Sequence, residues 1–417
     1  MLNLVNHSNF TSQASDPLRV LAMKSVKSVL DLRPSGLNEI EQQLSESKQW
    51  VESLKEFKNK HSKFYLIGIG GSSLGVQVLA EVFQKTNFHF IDNVDAEHLE
   101  SQLNAITNLE DVGWLVVSKS GRTIETLMAF DLVQQIYQEK NISIKKHSLV
   151  ITEKKESDLY NWAIAHQVPV FPIPLTVGGR YSVLTSVGIV PAILMGLDCE
   201  KISQGAALAL KDQEILIQAT ENALLSFSRN EWITVLWCYS SRLRNFGLWW
   251  QQLWAESLAK KNNRKGAPAP RVSTPLPLIG ATDQHSVLQQ IVDGEKDKYT
   301  IFLRAGTAEE GNFLIKNPTF RETAHLKGKK TGTLLRAEAD ATQLALRENS
   351  VSQMTLFTKD LSEESISYLF MFFQLLVMSI GEALNINAFD QPGVEMGKVI
   401  TKEILSGHKS YSDLMRG

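Results

Sequence analysis

Cysteine is scarce in this 417-residue chain. Cys199 and Cys238 are its only two, and each lies in an apolar stretch, where a small buried thiol is expected rather than a disulfide or a metal ligand. A reducing, cytoplasmic setting is the matching expectation. The nine histidines show no HxH, HxxxH or HExxH spacing, and two lone cysteines cannot complete a zinc site with them, so no metal is expected. The opening residues MLNLVNHSNFTSQASD lack the positive start and apolar core of a signal peptide. Long apolar runs are lacking as well: the longest, 368–380, is interrupted by Gln374 and reads as a buried helix rather than a membrane span. Nor is there an excess of basic residues. With 43 Lys and Arg against 45 Asp and Glu, the formal charge of -2 excludes the electrostatic footprint of nucleic-acid binding. Any anionic partner must be met by local donors. Short internal repeats and low-complexity tracts are missing too, so order is expected nearly throughout.

What is present is globular: 43% hydrophobic and 21% charged residues, at a length that favours more than one core. A helical lead-in over 37–60 is followed by an apolar strand at 64–69, a helix from Ser73 and strands at 88–91, 114–117 and 148–151, with a helix opening near Thr123 between the last two. This alternation predicts a parallel sheet covered on both faces. Helical segments at 183–195 and 202–228 lead to a second series, with strands at 232–237, 300–303 and 351–357 and a helix at 334–347. From Leu361 an apolar helix opens, capped by Ser362 with Glu363 and Glu364 in its first turn. The expected fold is α/β, two doubly wound domains of parallel sheet flanked by helices. The stretch 262–277, rich in proline, reads as a surface loop.

Two loops have the character of anion cradles. The first strand runs into Gly68-Ile69-Gly70-Gly71-Ser72-Ser73-Leu74-Gly75, where glycines permit a sharp turn and leave amides at a helix start. A dinucleotide-binding loop looks similar, and Asp92 stands where a ribose-binding acid would, but Ser73 replaces the third glycine of that fingerprint. After the third strand comes Ser118-Lys119-Ser120-Gly121-Arg122-Thr123-Ile124-Glu125-Thr126. Its hydroxyls, turn amides and helix N-terminus suit the terminal oxygens of one phosphate, and no GxxxxGKS or GxxxxGKT marks a nucleotide P-loop. Either loop alone also reads as an ordinary capped helix start.

Further candidates lie downstream. Gly178-Gly179-Arg180-Tyr181-Ser182 sets an arginine after a flexible pair; Gln252 and Glu256 share one helix face at i and i+4, where Glu256 also has Lys260 as a plain surface partner. His285 in Gly280-Ala281-Thr282-Asp283-Gln284-His285-Ser286 stands near a helix start, whose dipole favours the neutral ring; Gln391 and Lys398 belong to Gln391-Pro392-Gly393-Val394-Glu395-Met396-Gly397-Lys398. Each has a bland reading by itself, as a structural histidine or a solvated charge.

In this order the pieces GIGGS, SKSxxTxET, GGRYS, QxxxE, QHS and QxGVExGK resemble the signature set of the glucose-6-phosphate isomerases, over about residues 65–398, and the serine-rich loop resembles that of sugar isomerase (SIS) domains. The resemblance implies two SIS-type, flavodoxin-like domains, with a helical lead-in at 1–60 packing on the second domain, a first domain at 61–200, a second at 201–385 and a C-terminal helical extension at 386–417 carrying Lys398. It implies reversible aldose-ketose isomerisation of glucose 6-phosphate and fructose 6-phosphate through a cis-enediolate, in glycolysis and gluconeogenesis, without cofactor. Glu256 would shuttle the proton between C2 and C1, Arg180 would stabilise developing negative charge, and His285 and Lys398 would move the ring-opening protons. Gln252 and Gln391 would orient the sugar, while Gly71, Ser72, Ser118, Lys119, Ser120 and Thr123 would hold the phosphate. It also implies a homodimer with shared active sites, binding neither nucleic acid nor membrane. Two departures stand out: ESLAK follows where many relatives carry ESNGK, and Arg122 occupies a position that is often threonine. Alternatives left open are an isomerase that also accepts mannose 6-phosphate, a non-catalytic sugar-phosphate-binding regulator, which would need neither Glu256, His285 nor Lys398, and a dinucleotide-dependent dehydrogenase.

Overall fold

The computed structural model describes residues 2–5, 16–34 and 36–408, so parts of the expected lead-in (6–15) and extension (409–417) lie outside the described residues. Among the described residues ten strands occur in chain order: β1 (Leu2–Val5), β2 (Lys63–Ile67), β3 (Phe88–Ile91), β4 (Val112–Val117), β5 (Ser148–Thr152), β6 (Val170–Pro172), β7 (Ile233–Tyr239), β8 (Thr274–Ile279), β9 (Lys298–Ala305) and β10 (Ser352–Thr358). They form two sheets. The first is wholly parallel in the order β3-β2-β4-β5-β6; the second runs β8-β7-β9-β10 in parallel and is closed on its far edge by β1, antiparallel to β10. Both central orders are doubly wound, which is the fold that the alternation predicts.

Strand periodicity sorts the side chains into layers, because successive residues face opposite sides of a sheet. Phe64, Leu66, Leu115 and Val117 of the first sheet, with Leu236, Cys238, Ile301, Leu303, Met354 and Leu356 of the second, face one shared core. The helices Leu74–Val82, Ser186–Leu194, Cys199–Lys211, Arg244–Leu258 and Glu363–Ala383 fill that central layer. The opposite faces are covered separately: Tyr65, Ile67, Trp114 and Val116 by helix Ile124–Glu139, and Val235, Trp237, Tyr239 and Phe302 by helix Gly332–Glu348. Helix Glu363–Ala383 is long and apolar enough to cross a membrane, yet it is the buried centre of this layer, and Gln374 donates from Nε2 to the Tyr181 carbonyl at 3.1 Å. Ser362 caps it by accepting from the Ser365 amide, as expected.

Four local expectations are corrected. The 262–277 stretch is not all loop, because Thr274–Ile279 pairs with β7 as the sheet's edge strand. Pro275 and Pro277 are two apart, so both missing amides lie on the same side of the strand, and an edge strand tolerates this where a central one does not. The lead-in contains a further helix, Pro17–Leu32, and the four-residue strand β1, which only pairing with β10 makes regular. The 202–228 segment is two helices, Cys199–Lys211 and Gln213–Ser228, parted at Asp212. The 183–195 segment is a tight 3-10 turn, Gly179–Leu184, followed by helix Ser186–Leu194.

Candidate active site

The strand order of the first sheet reverses between β2 and β4, where parallel sheets leave a crevice at their carboxyl ends. Both cradle loops fill this crevice. They are neighbours, since a Cβ added at Gly68 would lie 3.0 Å from the Val117 carbonyl oxygen. In the first loop Gly70 is left-handed (φ +59°), and Gly71 lies so close to the turn before Arg180 that a Cβ there would stand 2.4 Å from the Gly179 carbonyl oxygen. Ser182 Oγ donates to the Gly71 carbonyl at 3.3 Å, and Ser72 closes the same short turn, so the loop is docked on the arginine's own segment.

The second loop turns at Gly121 (φ +63°), packed against Ser157. Ser118 Oγ and Thr123 Oγ1 lie 2.9 Å apart, and the Arg122 amide donates to Ser120 Oγ at 3.3 Å. Thr152 Oγ1 donates to the Ser118 carbonyl at 2.6 Å, and the Lys119 ammonium sits 3.4 Å from Glu153. Helix Ile124–Glu139 starts directly after Thr123, so amides of its first turn, which have no intrahelical acceptor, open beside these hydroxyls. Arg122 reaches sideways, its Nη2 donating to the Glu156 carbonyl at 3.0 Å, and ties the loop to the next one.

Arg180 enters from the turn Gly179–Leu184 with its side chain only 1% exposed. Its five N–H groups meet five acceptors from two segments, 256–257 and 388–391. Nε donates to Ser257 Oγ (2.6 Å), Nη1 to Gln391 Oε1 (2.9 Å) and Glu256 Oε2 (3.4 Å), and Nη2 to the carbonyls of Ala388 (2.6 Å) and Asp390 (3.1 Å). Glu256 is on the last turn of helix Arg244–Leu258, where its neighbour Ser257 is rotated about 100° into the core. That rotation lets one helix end offer a carboxylate to the crevice and a hydroxyl to the buried arginine. Gln252, one turn earlier, donates from Nε2 to Glu256 Oε1 at 3.1 Å and lies against Gly70. A charged donor and an amide therefore hold the two carboxylate oxygens, while 27% of the Glu256 side chain stays exposed.

The fold thus gathers Glu256, Arg180, Gln252 and Gln391 beside Gly71, with the Ser118–Thr123 loop on the adjoining strand. His285 and Lys398 stand exposed on separate elements. Gln284 turns inward to the Tyr239 hydroxyl (2.8 Å) and Thr342 Oγ1 (2.7 Å), anchoring the short turn Thr282–His285 and leaving the imidazole outside. Lys398 lies on helix Glu395–Leu405. Asp92 accepts from Gln77 Nε2 and lines a separate pocket with Glu81, Gln84 and Asn245. Sequence reasoning missed Ser257, Tyr181, Glu153 and Asp390; all but Glu153 adjoin a candidate motif residue (Glu256, Arg180 and Gln391), and that adjacency was the available signal. The plain surface pairing of Lys260 with Glu256 does not occur: Lys260 binds the Glu256 carbonyl rather than its carboxylate. A cavity of about 440 Å³ beside Arg304, Asp340 and Gln343 shares no lining residue with this cluster.

Residues 4–414 match the family model described as phosphoglucose isomerase. The chain belongs to the phosphoglucose isomerase family. A Campylobacter jejuni glucose-6-phosphate isomerase is 35% identical over 87% of this chain and 89% of its own length. A probable glucose-6-phosphate isomerase of Methanococcus maripaludis is 33% identical over 86% of this chain and 82% of its own. Among solved structures, a Thermus thermophilus protein described as hypothetical superposes with a TM-score of 0.85 at 29% identity, covering 98% of this chain and all of its own. A glucose-6-phosphate isomerase of Chlamydia trachomatis, at 23% identity, shares the fold with a TM-score of 0.76 over 97% of this chain and 81% of its own. Membership in the phosphoglucose isomerase family makes this chain an aldose-ketose isomerase and accounts for the order of the motifs.

Proposed function

We propose that the chain interconverts glucose 6-phosphate and fructose 6-phosphate, with Glu256 as the base. The observation that carries this reading is the Glu256 carboxylate, held between Arg180 Nη1 and Gln252 Nε2 at the rim of the glycine loop. Phosphate bound by Gly71, Ser72, Ser118, Lys119, Ser120 and Thr123 would fix the far end of the sugar, so that the reacting carbons lie over the carboxylate. Glu256 takes the C2 proton; the C–H electron pair becomes the C1–C2 double bond of the enediolate, and the charge collects on O1. The same proton then returns to C1 while the O2 hydroxyl proton passes to O1, leaving the ketone at C2 and a hydroxyl at C1. Arg180 supplies fixed positive charge for the enediolate, and Gln391 and Gln252 orient the hydroxyls. Gln252 Oε1 is buried without a hydrogen-bond partner among the described residues, so a sugar hydroxyl would satisfy it.

Ring opening falls to His285 and Lys398, and the homodimer supplies their placement. His285 is exposed, and apolar residues are exposed on the 306–331 segment (Phe313, Leu314, Phe320) and on the C-terminal helix (Met396, Leu405), which supports a subunit interface that brings the histidine of one chain to the Glu256 of the other. The reaction belongs to the cytoplasm, where its phosphorylated substrates are retained. Two measurements test the reading. A coupled assay should detect glucose 6-phosphate formed from fructose 6-phosphate. Glu256→Gln and His285→Gln chains, each inactive, should recover roughly one quarter of wild-type activity after unfolding, mixing and reassociation, because half the dimers are mixed and half their sites whole. Verified heterodimers that stay inactive reject the shared site.

A further inference from the structure

Lys260 is charged, yet its side chain is only 7% exposed. Helix Arg244–Leu258 stops two residues before it, because Ala259 is extended (ψ 104°) and the Ala259 amide closes on the Ala255 carbonyl. The carbonyl of Glu256 is therefore among the last-turn acceptors that the helix cannot satisfy from within. Lys260 folds back and supplies the donor: Nζ lies 2.8 Å from the Glu256 carbonyl oxygen. A cation is also the favoured group at a helix C-terminus, where the dipole is negative. The same Nζ donates to the Asp390 carbonyl and lies 3.0 Å from Asp390 Oδ1.

The Asp390 carbonyl is also the acceptor for Arg180 Nη2, so one oxygen joins the two buried cations. Neighbouring Gln391 holds Nη1 of the same guanidinium, and Nη1 faces Glu256. The backbone of the base, the charge that faces it and the segment leading to Lys398 are thus referenced to one ammonium. Burial lowers the Lys260 pKa, against the opposing pull of Asp390, as expected of a cation held by few but close partners.

We propose that Lys260 is a positioning residue for the isomerisation: it locks the end of the base helix to the 388–391 segment and so fixes Glu256 against Arg180. This rests on the reading of Glu256 as the base. The Lys260 ammonium is taken up by the Glu256 and Asp390 carbonyls and the Asp390 carboxylate, and the phosphate cradle stands on other loops, so its loss acts on turnover rather than on binding.

The test uses the full chain with Lys260→Met, which keeps the apolar stem and removes the ammonium. Expected is a fall in kcat of about 10- to 100-fold, the scale of a misplacement near 1 Å, with KM for fructose 6-phosphate within about threefold of wild type. Exchange of the C2 proton with solvent should slow in parallel, and Lys260→Arg should restore part of the turnover while still satisfying the Asp390 carbonyl. Wild-type kcat in a folded Lys260→Met chain, or KM rising as much as kcat falls, overturns the proposal. If that chain does not fold, Asp390→Asn decides: it leaves the Asp390 carbonyl in place and removes only the carboxylate, and kcat should fall several-fold at unchanged KM. No change in kcat there overturns the proposal as well. A Glu256→Gln chain that keeps wild-type turnover would instead reject the base assignment, so the two failures are distinguishable.

Discussion

Two arginine–glutamate pairs in this molecule share their chemistry and differ in space. Arg304, at the end of β9, grips Glu309 with two parallel bonds, Nε to Oε1 at 2.6 Å and Nη2 to Oε2 at 2.9 Å, and binds Asp340 as well. Glu309 is 3% exposed, against 27% for Glu256, whose single bond to Arg180 is 3.4 Å long. The first pair is a closed clamp that stiffens the second sheet's switch point. In the second pair the arginine spends most of its donors on Ser257, Gln391 and two carbonyls, so the carboxylate is oriented without being neutralised and remains available for a proton. A base needs a fixed direction and a free lone pair, and only the loose pair provides both. The contrast extends to the sheets: both have a switch point, but one opens on glycine and serine loops while the other is filled by this clamp, so shared topology does not give shared chemistry.

The sharpest way to break that contrast is to neutralise both carboxylates. Glu256→Gln should lower kcat by about 10²–10⁴-fold, with sugar-phosphate affinity nearly intact and C2 proton exchange in D₂O abolished. Glu309→Gln should do the reverse, destabilising the fold by about 3–5 kcal/mol because Arg304 is left with half a buried partner, while the folded fraction turns over normally. Denaturant melts and initial rates on both variants check this. A Glu309 variant with normal stability and lost turnover would show that the two pairs have been assigned the wrong way round.

Glycines allow a second comparison, of intermediate size. Gly71→Ala pushes a methyl group against the Gly179 carbonyl and displaces the cradle from the Arg180 turn; Gly332→Ala crowds the Glu309 carbonyl carbon at 2.3 Å in the second domain. Both should lower the melting temperature, but only Gly71→Ala should raise KM, by about tenfold if it loses one charge-assisted phosphate bond. Equal rises in KM would mean that the cradle extends into both domains.

The smallest effect concerns the first domain's frame. His61 Nε2 and His147 Nδ1 lie 3.0 Å apart in a buried pair beneath the first sheet, and His61 Nδ1 meets the Phe57 carbonyl at 2.8 Å. Burial lowers both rings, His147 to about 4, with Lys60 acting the same way on both and Lys146 on His147; the Phe57 backbone hydrogen bond and Asp111 oppose it on His61, and a backbone hydrogen bond at Val112 opposes it on His147. Because the folded pKa is below the ordinary 6.5, the contribution is complete above pH 6.5 and is lost as pH falls towards 4, where the unfolded chain binds more protons. Solvent screening keeps the loss at pH 5 to about 1 kcal/mol. Melts of wild type and His147→Gln at pH 7 and 5 should show a smaller pH difference in the variant.

Much of the fold was legible because its signals are local. Apolar runs of strand length, helix caps such as Ser362, and glycines at turns depend on neighbours within a few residues, and the predicted parallel alternation appears in both sheets. β8 was not legible, because proline argues against a strand until the strand is known to lie at an edge. β1 was not legible either, since four residues become a strand only when β10 offers its edge. Within the site, Gln252 and Glu256 could be paired from their helical spacing, whereas the partners of Arg180 come from residues 76 to 211 positions away and left no local trace.

The sequence by itself determined which residue types reach the crevice: glycines where the backbone turns left-handed, hydroxyls beside a helix start, and a glutamate one turn beyond a glutamine. Only the tertiary structure decided their states. It made Glu256 a loosely held carboxylate and Glu309 a sealed one, turned Lys260 from a surface partner into a buried tie, and left His285 on the outside. The physical reason is that caps, turns and periodicity act over a few residues of chain, while burial, ion pairing and access to solvent depend on which distant segments the fold brings within about 3 Å of one another.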